Sequence, residues 1–271
     1  MIQPVLKWVG GKRQILNSIA PLVPNSFSSY CEPFFGGGAV CFHLKPNSAI
    51  INDINTELIE FYKVVRDYPE ELISELQSYV NDEEFYYSIR ALDRSSSFKD
   101  LSPVKKAART YYLNRMGYNG LYRVNSKGLY NVPYGKYKRP FSPYADSIRE
   151  LSYYFKTNNI VFLNGHYSKI LNYLDSKSFV YLDPPYDRVS TTSFISYSSD
   201  SFSRLEQIGL KNFCDKLTAK GIRFMQSNSA TDFIKDLYKD YKVTIVGAKR
   251  SVNSDGKNRG SVDEVIVRNY K

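Results

Sequence analysis

Histidine is scarce in this chain. Its 271 residues include two, His43 and His166, too few and too isolated for a histidine metal site. Cysteine is scarce too: Cys31, Cys41 and Cys214 lie far apart with no C-x-x-C spacing, which excludes a disulfide framework and a cysteine zinc site. No metal is therefore expected. No stretch approaches 18 continuous apolar residues, and the chain opens Met-Ile-Gln-Pro without an apolar leader, so a cytoplasmic protein with no membrane association is expected. Negative charge is the other shortage. Asp and Glu total 27 against 37 Lys and Arg, a formal +10. What remains is ordinary for a globule, at 42% hydrophobic and 24% charged, except for 24 tyrosines. The length suits one large domain, or a core with one sizeable insert.

The positive excess has an address. From Lys105 to Arg139 the cations are Lys105, Lys106, Arg109, Arg115, Arg123, Lys127, Lys136, Lys138 and Arg139, nine against no acid, so this window carries nearly all of the +10. It also holds Tyr111, Tyr112, Tyr118, Tyr122, Tyr130, Tyr134 and Tyr137, with Asn114, Asn119, Asn125 and Asn131. Cations for phosphates, flat rings for stacking and amides for base edges compose a nucleic-acid surface. A charge run alone reads equally well as a solvated basic face; the rings and the missing acids favour nucleic acid. Tyr111 and Tyr112 read as helix packing rather than contacts. The preceding segment, 67–100, is acid-rich and reads as helical and solvent-facing. A second basic cluster, Lys249, Arg250, Lys257 and Arg259, lies in a Ser/Asn/Gly-rich loop.

Either side of this middle the chain alternates strand and helix. Strands are expected at 28–32, 49–51, 160–163, 179–182 and 222–225, with helices near 38–45, 168–174 and 203–219. Segments 242–246 and 262–267 read as a closing hairpin. Such alternation predicts an α/β fold, a mostly parallel sheet with helices on both faces. Residues 57–145 break the rhythm, helical first and then rich in Gly and Pro, and read as an insert carrying recognition.

Two motifs carry chemistry. Phe34-Phe35-Gly36-Gly37-Gly38 follows a strand and opens a helix, where glycine lets backbone approach a ligand. Taken alone, a structural turn explains it as well. Cys41 replaces the third glycine of a dinucleotide fingerprint, and Gly10-Gly11-Lys12 is no strict phosphate loop, which points to a nucleoside without pyrophosphate. Asp53, at the end of the second strand, is placed to accept from ribose hydroxyls. Asp183-Pro184-Pro185-Tyr186 closes the 179–182 strand, its two prolines making a rigid end that presents a carboxylate and a main-chain carbonyl. That pair could hold the two N–H groups of an adenine or cytosine amine, and Tyr186 offers a stacking face for a base taken out of the duplex.

Taken in order, L-K-W-V-G-G-K at 6–12, E-P-F-F-G-G-G at 32–38, N-D-I-N at 52–55, L-N-R-M-G-Y-N-G-L-Y-R-V-N at 113–125, N-V-P-Y-G-K-Y at 131–137, D-P-P-Y at 183–186 and the tail from 249 to 264 resemble the alpha-group amino-methyltransferases, closely the DNA adenine methylase family. The resemblance spans nearly the whole chain. It implies a Rossmann-like class I methyltransferase sheet with a catalytic domain from 1–56 and 146–271 and a target-recognition domain at 57–145. It implies methyl transfer from S-adenosylmethionine, leaving S-adenosylhomocysteine, to N6 of a flipped adenine in duplex DNA, with GATC the family's common target. Trp8, Lys12, Asp53 and Asp183 match cofactor positions; Phe34, Phe35, Gly36, Gly38 and Tyr167 would line the cofactor. Asp183, Pro184 and Tyr186 match the catalytic positions. Tyr118 and Asn119 would probe the duplex beside the extruded adenine, and Arg123 would read a guanine. Leu121, Pro133 and Tyr137 would complete the contacts, with Asn125, Lys136, Lys138 and Arg139 on the same DNA-facing segment.

Rival readings keep their place. Trp8 could cap the core and Lys12 could open a helix at the surface. A non-catalytic DNA-binding protein would need the basic insert but not the tetrapeptide. An RNA or protein-amide methyltransferase could use a similar Pro-Pro-Tyr turn, the target could be cytosine, or the site another GA-containing sequence. The expected enzyme is a monomer, solitary in a bacterium, phage-encoded, or paired with a restriction endonuclease.

Overall fold

A computed structural model of the chain describes residues 2–12, 15–187 and 202–249, together with 261–271. The basic cluster at 249–259 lies outside the described side chains. Seven strands form one mixed sheet: β1 (Tyr30–Glu32), β2 (Ser48–Asp53), β3 (Asn159–Asn164), β4 (Phe179–Leu182), β5 (Arg223–Ser229), β6 (Lys242–Lys249) and β7 (Ser261–Arg268). Their order is β3-β2-β1-β4-β5-β7-β6. β1 pairs in parallel with β2 and β4, and β4 with β5, while β7 runs antiparallel to both β5 and β6. The expected closing hairpin is therefore the β6/β7 pair. This is the α/β architecture that the strand–helix alternation predicts.

The helices are α1 (Leu16–Ile19), α2 (Ala39–Leu44), α3 (Thr56–Asp67), α4 (Pro69–Gln77), α5 (Glu83–Ala91), α6 (Pro103–Met116), α7 (Ala145–Thr157), α8 (Arg204–Ala219) and α9 (Asp232–Leu237). Their starts are written locally. Asn55, Asp82, Ser102 and Thr231 each accept a backbone N–H as N-cap, and Ser203 with Glu206 closes a capping box on α8. Two expectations change. Segment 168–174 is a tighter 3-10 turn, Tyr167–Tyr173. The acid-rich 67–100 stretch is amphipathic rather than solvent-facing, burying Leu72, Ile73, Leu76 and Tyr86 while Glu70, Glu71, Asp82, Glu83 and Glu84 face out.

The described residues group into two compact units. The first holds 1–11, 36–45 and 53–165; the second holds 12–35, 46–52 and 166–271. The first contains the whole of 57–145. Its core is aromatic, with Phe61, Tyr62, Tyr86, Tyr111 and Tyr112 all buried. In the second, β4 is buried at all four positions. β1 and β4 are neighbours, although the chain goes from β1 out to β2 and from β4 out to β5, so the strand order reverses between them. Ligands of open α/β sheets bind outside the strand ends at such a reversal. Tyr30 pairs with Phe179 and Cys31 with Val180, so the segment leaving β1 and the tetrapeptide leaving β4 emerge side by side.

Candidate active site and recognition turn

The tetrapeptide is held by polar residues of β5 and α8, all in the second unit. Asp183 Oδ1 accepts from Lys12 Nζ at 2.7 Å and from Ser227 Oγ at 3.0 Å. Gln207 donates to the Pro185 carbonyl at 2.9 Å, and Asn228 in turn donates to Gln207 at 3.1 Å. One residue on, the Asp187 N–H donates to Asn228 at 3.1 Å, while Ser229 Oγ donates to the Asp187 carbonyl at 2.7 Å. Thr231 Oγ1 donates to the Asp187 carboxylate at 2.7 Å. Asp183 Oδ2 and the Pro184 carbonyl are among the acceptors of the turn that have no partner among the described residues.

Burial raises the Asp183 carboxyl above its ordinary range, and Lys12 and Ser227 pull it part of the way back. Lys12 is 6% exposed, so it is a buried ion-pair partner rather than a surface lysine. Its ammonium also lies 4.5 Å from the Tyr186 ring centroid. The Tyr186 hydroxyl donates to Glu264 on β7 at 2.7 Å, which fixes the ring from its far end. Phe34 stands 5.3 Å from Tyr167, which packs on Phe213. Phe35 is buried.

In the first unit, Gly36 has φ +50 and Gly38 has φ +67, conformations that glycine adopts without cost. Gly36 also stands against Trp8: a Cβ there would lie 2.5 Å from Trp8 Cδ1. Its N–H donates to Asp53 Oδ2 at 2.9 Å, and Asn55 N–H donates to Oδ1 at 2.9 Å. Burial raises the Asp53 carboxyl, with the Asn55 and Gly36 N–H groups opposing. The Ile54 N–H opposes burial too, so backbone donors surround this carboxylate.

The segment expected to meet DNA belongs to the same unit and starts where α6 ends. Asn119 (φ +54) and Gly120 (φ +65) turn the chain, and Tyr118 is 53% exposed. Residues 123–131 form a hairpin through the Val124–Tyr130 bridge, with Asn125 folding its tip by accepting the Lys127 and Leu129 N–H groups at 3.0 Å each. Arg123 is exposed, and its Nε and Nη2 donate to the side chain and carbonyl of Asn131 at 2.7 and 3.2 Å. Leu121 is half-buried; Pro133, Lys136, Lys138 and Arg139 are exposed. The Tyr137 hydroxyl donates to the Gly117 carbonyl at 3.2 Å, and Lys7 Nζ lies 5.0 Å from its ring centroid. Asn81 binds the Tyr137 and Arg139 carbonyls at 2.7 Å each.

The charge window needs one correction. Arg109 is not an uncompensated surface cation. It is 0% exposed, paired with Asp93 at 2.6 Å and Glu57 at 3.8 Å, and it donates to the Ile89 and Arg90 carbonyls. Tyr111 and Tyr112 are core residues, as expected, and so is Tyr130, whose hydroxyl donates to the Leu121 carbonyl at 2.8 Å. Ser227, Asn228 and Gln207 are site residues that the sequence patterns do not single out. The signal for Ser227 and Asn228 is a polar run, Gln226–Ser229, directly after an apolar strand start.

The family described as D12 class N6 adenine-specific DNA methyltransferase matches residues 8–252. The chain is 41% identical to a type II methyltransferase, M1.LlaDCHI, of Lactococcus lactis subsp. cremoris, over 99% of this chain and 96% of that protein. It is 40% identical to the type II methyltransferase M.MjaIII of Methanocaldococcus jannaschii, over 99% of each. Similarity to the DNA adenine methylase of Salmonella typhi is 35% identity over 97% of this chain and 93% of that protein.

Proposed function

The chain belongs to the D12 class of N6 adenine-specific DNA methyltransferases, and from that footing we propose that it methylates adenine in GATC after taking the base out of the duplex. It is an adenine-specific DNA methyltransferase and uses S-adenosylmethionine. The observation that supports an extruded amino base is that Asp183 Oδ2 and the Pro184 carbonyl stand open at the D-P-P-Y turn. Asp183 Oδ1 and the Pro185 carbonyl are occupied from behind, while Asp183 Oδ2 and the Pro184 carbonyl have no partner among the described residues. Two acceptors suit the two N–H groups of an exocyclic amine.

S-adenosylmethionine, when bound, supplies a methyl group made electrophilic by its sulfonium. The protein's work is placement and charge. Hydrogen bonds from the amine to Asp183 and Pro184 draw the nitrogen lone pair out of ring conjugation and stabilise the positive charge that grows as the N–C bond forms. The carboxylate is suited to that charge, and no histidine is needed. Tyr186, fixed by Glu264, offers its ring to the extruded base. Asp53 takes the ribose hydroxyls, and Trp8, Lys12, Phe34, Phe35, Gly36, Gly38, Tyr167 and Asp183 are the other cofactor residues. Tyr118, Asn119, Leu121, Arg123, Asn125, Pro133, Lys136, Tyr137, Lys138 and Arg139 contact the duplex, within a recognition domain at 57–145.

The enzyme is taken as a cytoplasmic monomer. A restriction endonuclease of the same system is the partner that the relatives' type II names suggest. Among the described residues, no helix is long and apolar enough to cross a membrane. The test is DNA from an expressing host. It is expected to contain N6-methyladenine, to resist nucleases that cut only unmethylated GATC, and to lose both properties with Asp183→Ala. N4-methylcytosine in that DNA, or near-normal transfer by Asp183→Ala, would overturn the reading.

A further inference from the structure

We propose that Tyr122 is a positioning residue that ties base reading by Arg123 to the placement of Trp8, so that target DNA and cofactor bind cooperatively. The inference rests on the reading that Arg123 meets DNA and that Trp8, Gly36 and Asp53 meet cofactor. All of these residues lie in the first unit.

Tyr122 sits between two residues assigned to DNA, but its own ring turns inward. It stacks on Trp8 with centroids 5.5 Å apart and planes 26° from parallel. Leu6, Glu57, Leu113 and Tyr130 close the space around the two rings. The Tyr122 hydroxyl hydrogen-bonds the half-buried Glu57 carboxylate; burial raises that carboxyl, and Arg109 and Tyr122 lower it. Trp8 is pinned on another edge by Gly36, where a Cβ would come within 2.5 Å of its Cδ1 and 2.9 Å of its Nε1. Gly36 in turn donates to Asp53.

The backbones beneath the stack are tied as well. Asn114 accepts the Lys7 N–H at 2.8 Å and donates to the Lys7 and Gly120 carbonyls at 2.7 and 3.2 Å. Gly120 has no Cβ where the Lys7 side chain passes, within 2.5 Å of where one would stand. Residues 7–8 and 120–122 are thus bound into one element, packed closely enough that a shift of either is felt by the other. Duplex engaged by Arg123 holds residue 122, which holds the Trp8 ring against Gly36. Linkage makes the effect reciprocal: cofactor must strengthen DNA binding by the same factor.

Trp8 is the only tryptophan in the chain, so its fluorescence reports this place alone. The probe is S-adenosylhomocysteine, titrated into the full chain with and without a duplex carrying the site the enzyme itself methylates. Its Kd is measured in parallel by equilibrium dialysis. For the unaltered enzyme the duplex is expected to tighten the dialysis Kd by about tenfold, inside the usual 5–150-fold range of such coupling. Tyr122→Phe keeps the ring and is expected to keep the factor. Tyr122→Ala, and Tyr122→Leu should the alanine variant fold poorly, are expected to bring it near one while each ligand still binds alone. An unaltered enzyme with no coupling, a full factor in Tyr122→Ala or Tyr122→Leu, or equal loss in Tyr122→Phe overturns the proposal. The cofactor reading fails separately: Trp8 emission unmoved by S-adenosylhomocysteine, with dialysis coupling still lost in Tyr122→Leu, removes Trp8 from the cofactor and leaves Tyr122 as the link.

Discussion

Ser227 Oγ donates to Asp183 Oδ1 at 3.0 Å, on the same oxygen that Lys12 Nζ holds at 2.7 Å. Tyr181 lies 3.0 Å beyond on the far side of the serine, so the hydroxyl has little freedom to leave. Both partners act on one oxygen of the carboxylate, Oδ1. Burial raises the Asp183 carboxyl above its ordinary 3.8, and Lys12 and Ser227 each lower it. Methylation is therefore expected to fall on acidification with an apparent pKa above the ordinary carboxylate range. Ser227→Ala removes one lowering influence, so the acid limb of the kcat profile moves to higher pH and kcat at neutral pH drops about tenfold, the order of one charge-assisted hydrogen bond. A profile unmoved by Ser227→Ala would show that Asp183 is oriented without it. The sign for stability is opposite. A carboxyl with a raised pKa keeps its proton in the folded state where the unfolded chain has lost it, so its contribution declines as pH rises from 3.8 through the raised value.

Gly36→Ala places a methyl group 2.5 Å from Trp8 Cδ1 at a backbone φ of +50. The left-handed conformation costs a non-glycine residue about 1–2 kcal/mol, and the indole must also shift. Cofactor affinity is expected to fall at least tenfold, and the emission of Trp8 to change even without ligand. Binding of non-cognate duplex should stay within about twofold, because Lys136, Lys138 and Arg139 are untouched. Isothermal titration with S-adenosylhomocysteine decides it, and an unchanged Kd removes the Gly36 turn from the cofactor's surroundings.

Much of this was legible in order along the chain, because it is written in local patterns. The D-P-P-Y turn falls where the apolar run Phe179–Leu182 ends, and Gly36 and Gly38 need the conformations that their residue type anticipates. What sequence hides is direction. An apolar run that seems to finish at Met225 continues as buried strand through Gln226, Ser227, Asn228 and Ser229, because the last three hydrogen-bond the 183–187 turn there, while Gln226 accepts from Cys214. A running charge count likewise treats Arg109 as a surface cation. Its carboxylate partners, Asp93 and Glu57, come from outside the 105–139 window, and only the folded chain brings them to it.

Arg109→Met tests that pairing. The change keeps an apolar stem but takes from the buried Asp93 carboxylate its 2.6 Å partner, leaving it Arg94 and the Tyr130 N–H, and removes one donor each from the Ile89 and Arg90 carbonyls. Removing one member of a buried pair costs about 3–5 kcal/mol. In a chain this long that is a fall of about 10 °C in Tm. The salt dependence of DNA binding should not move, since Arg109 meets no phosphate. A shallower salt slope with an unchanged Tm would return Arg109 to the DNA surface.

Arg123, Lys136 and Lys138 are expected to fail in different ways. Asn131 occupies Arg123 Nε and one Nη2 hydrogen, which leaves the Nη1–Nη2 edge outward as a fork of the shape that grips guanine O6 and N7. Arg123→Ala should cost about 1–3 kcal/mol on cognate duplex and nothing comparable on duplex changed at that guanine, so discrimination at one base pair disappears. Asn131→Ala leaves the arginine present but untethered, and is expected to lose part of the same discrimination. Lys136→Ala and Lys138→Ala should weaken every duplex alike and flatten the plot of log K against log salt by about 0.9 for each phosphate no longer neutralised. Competition binding with duplexes altered one base pair at a time, repeated at three salt concentrations, separates the two behaviours. Equal losses on cognate and altered duplex for Arg123→Ala would place Arg123 on a phosphate and move base reading elsewhere along the 118–137 segment.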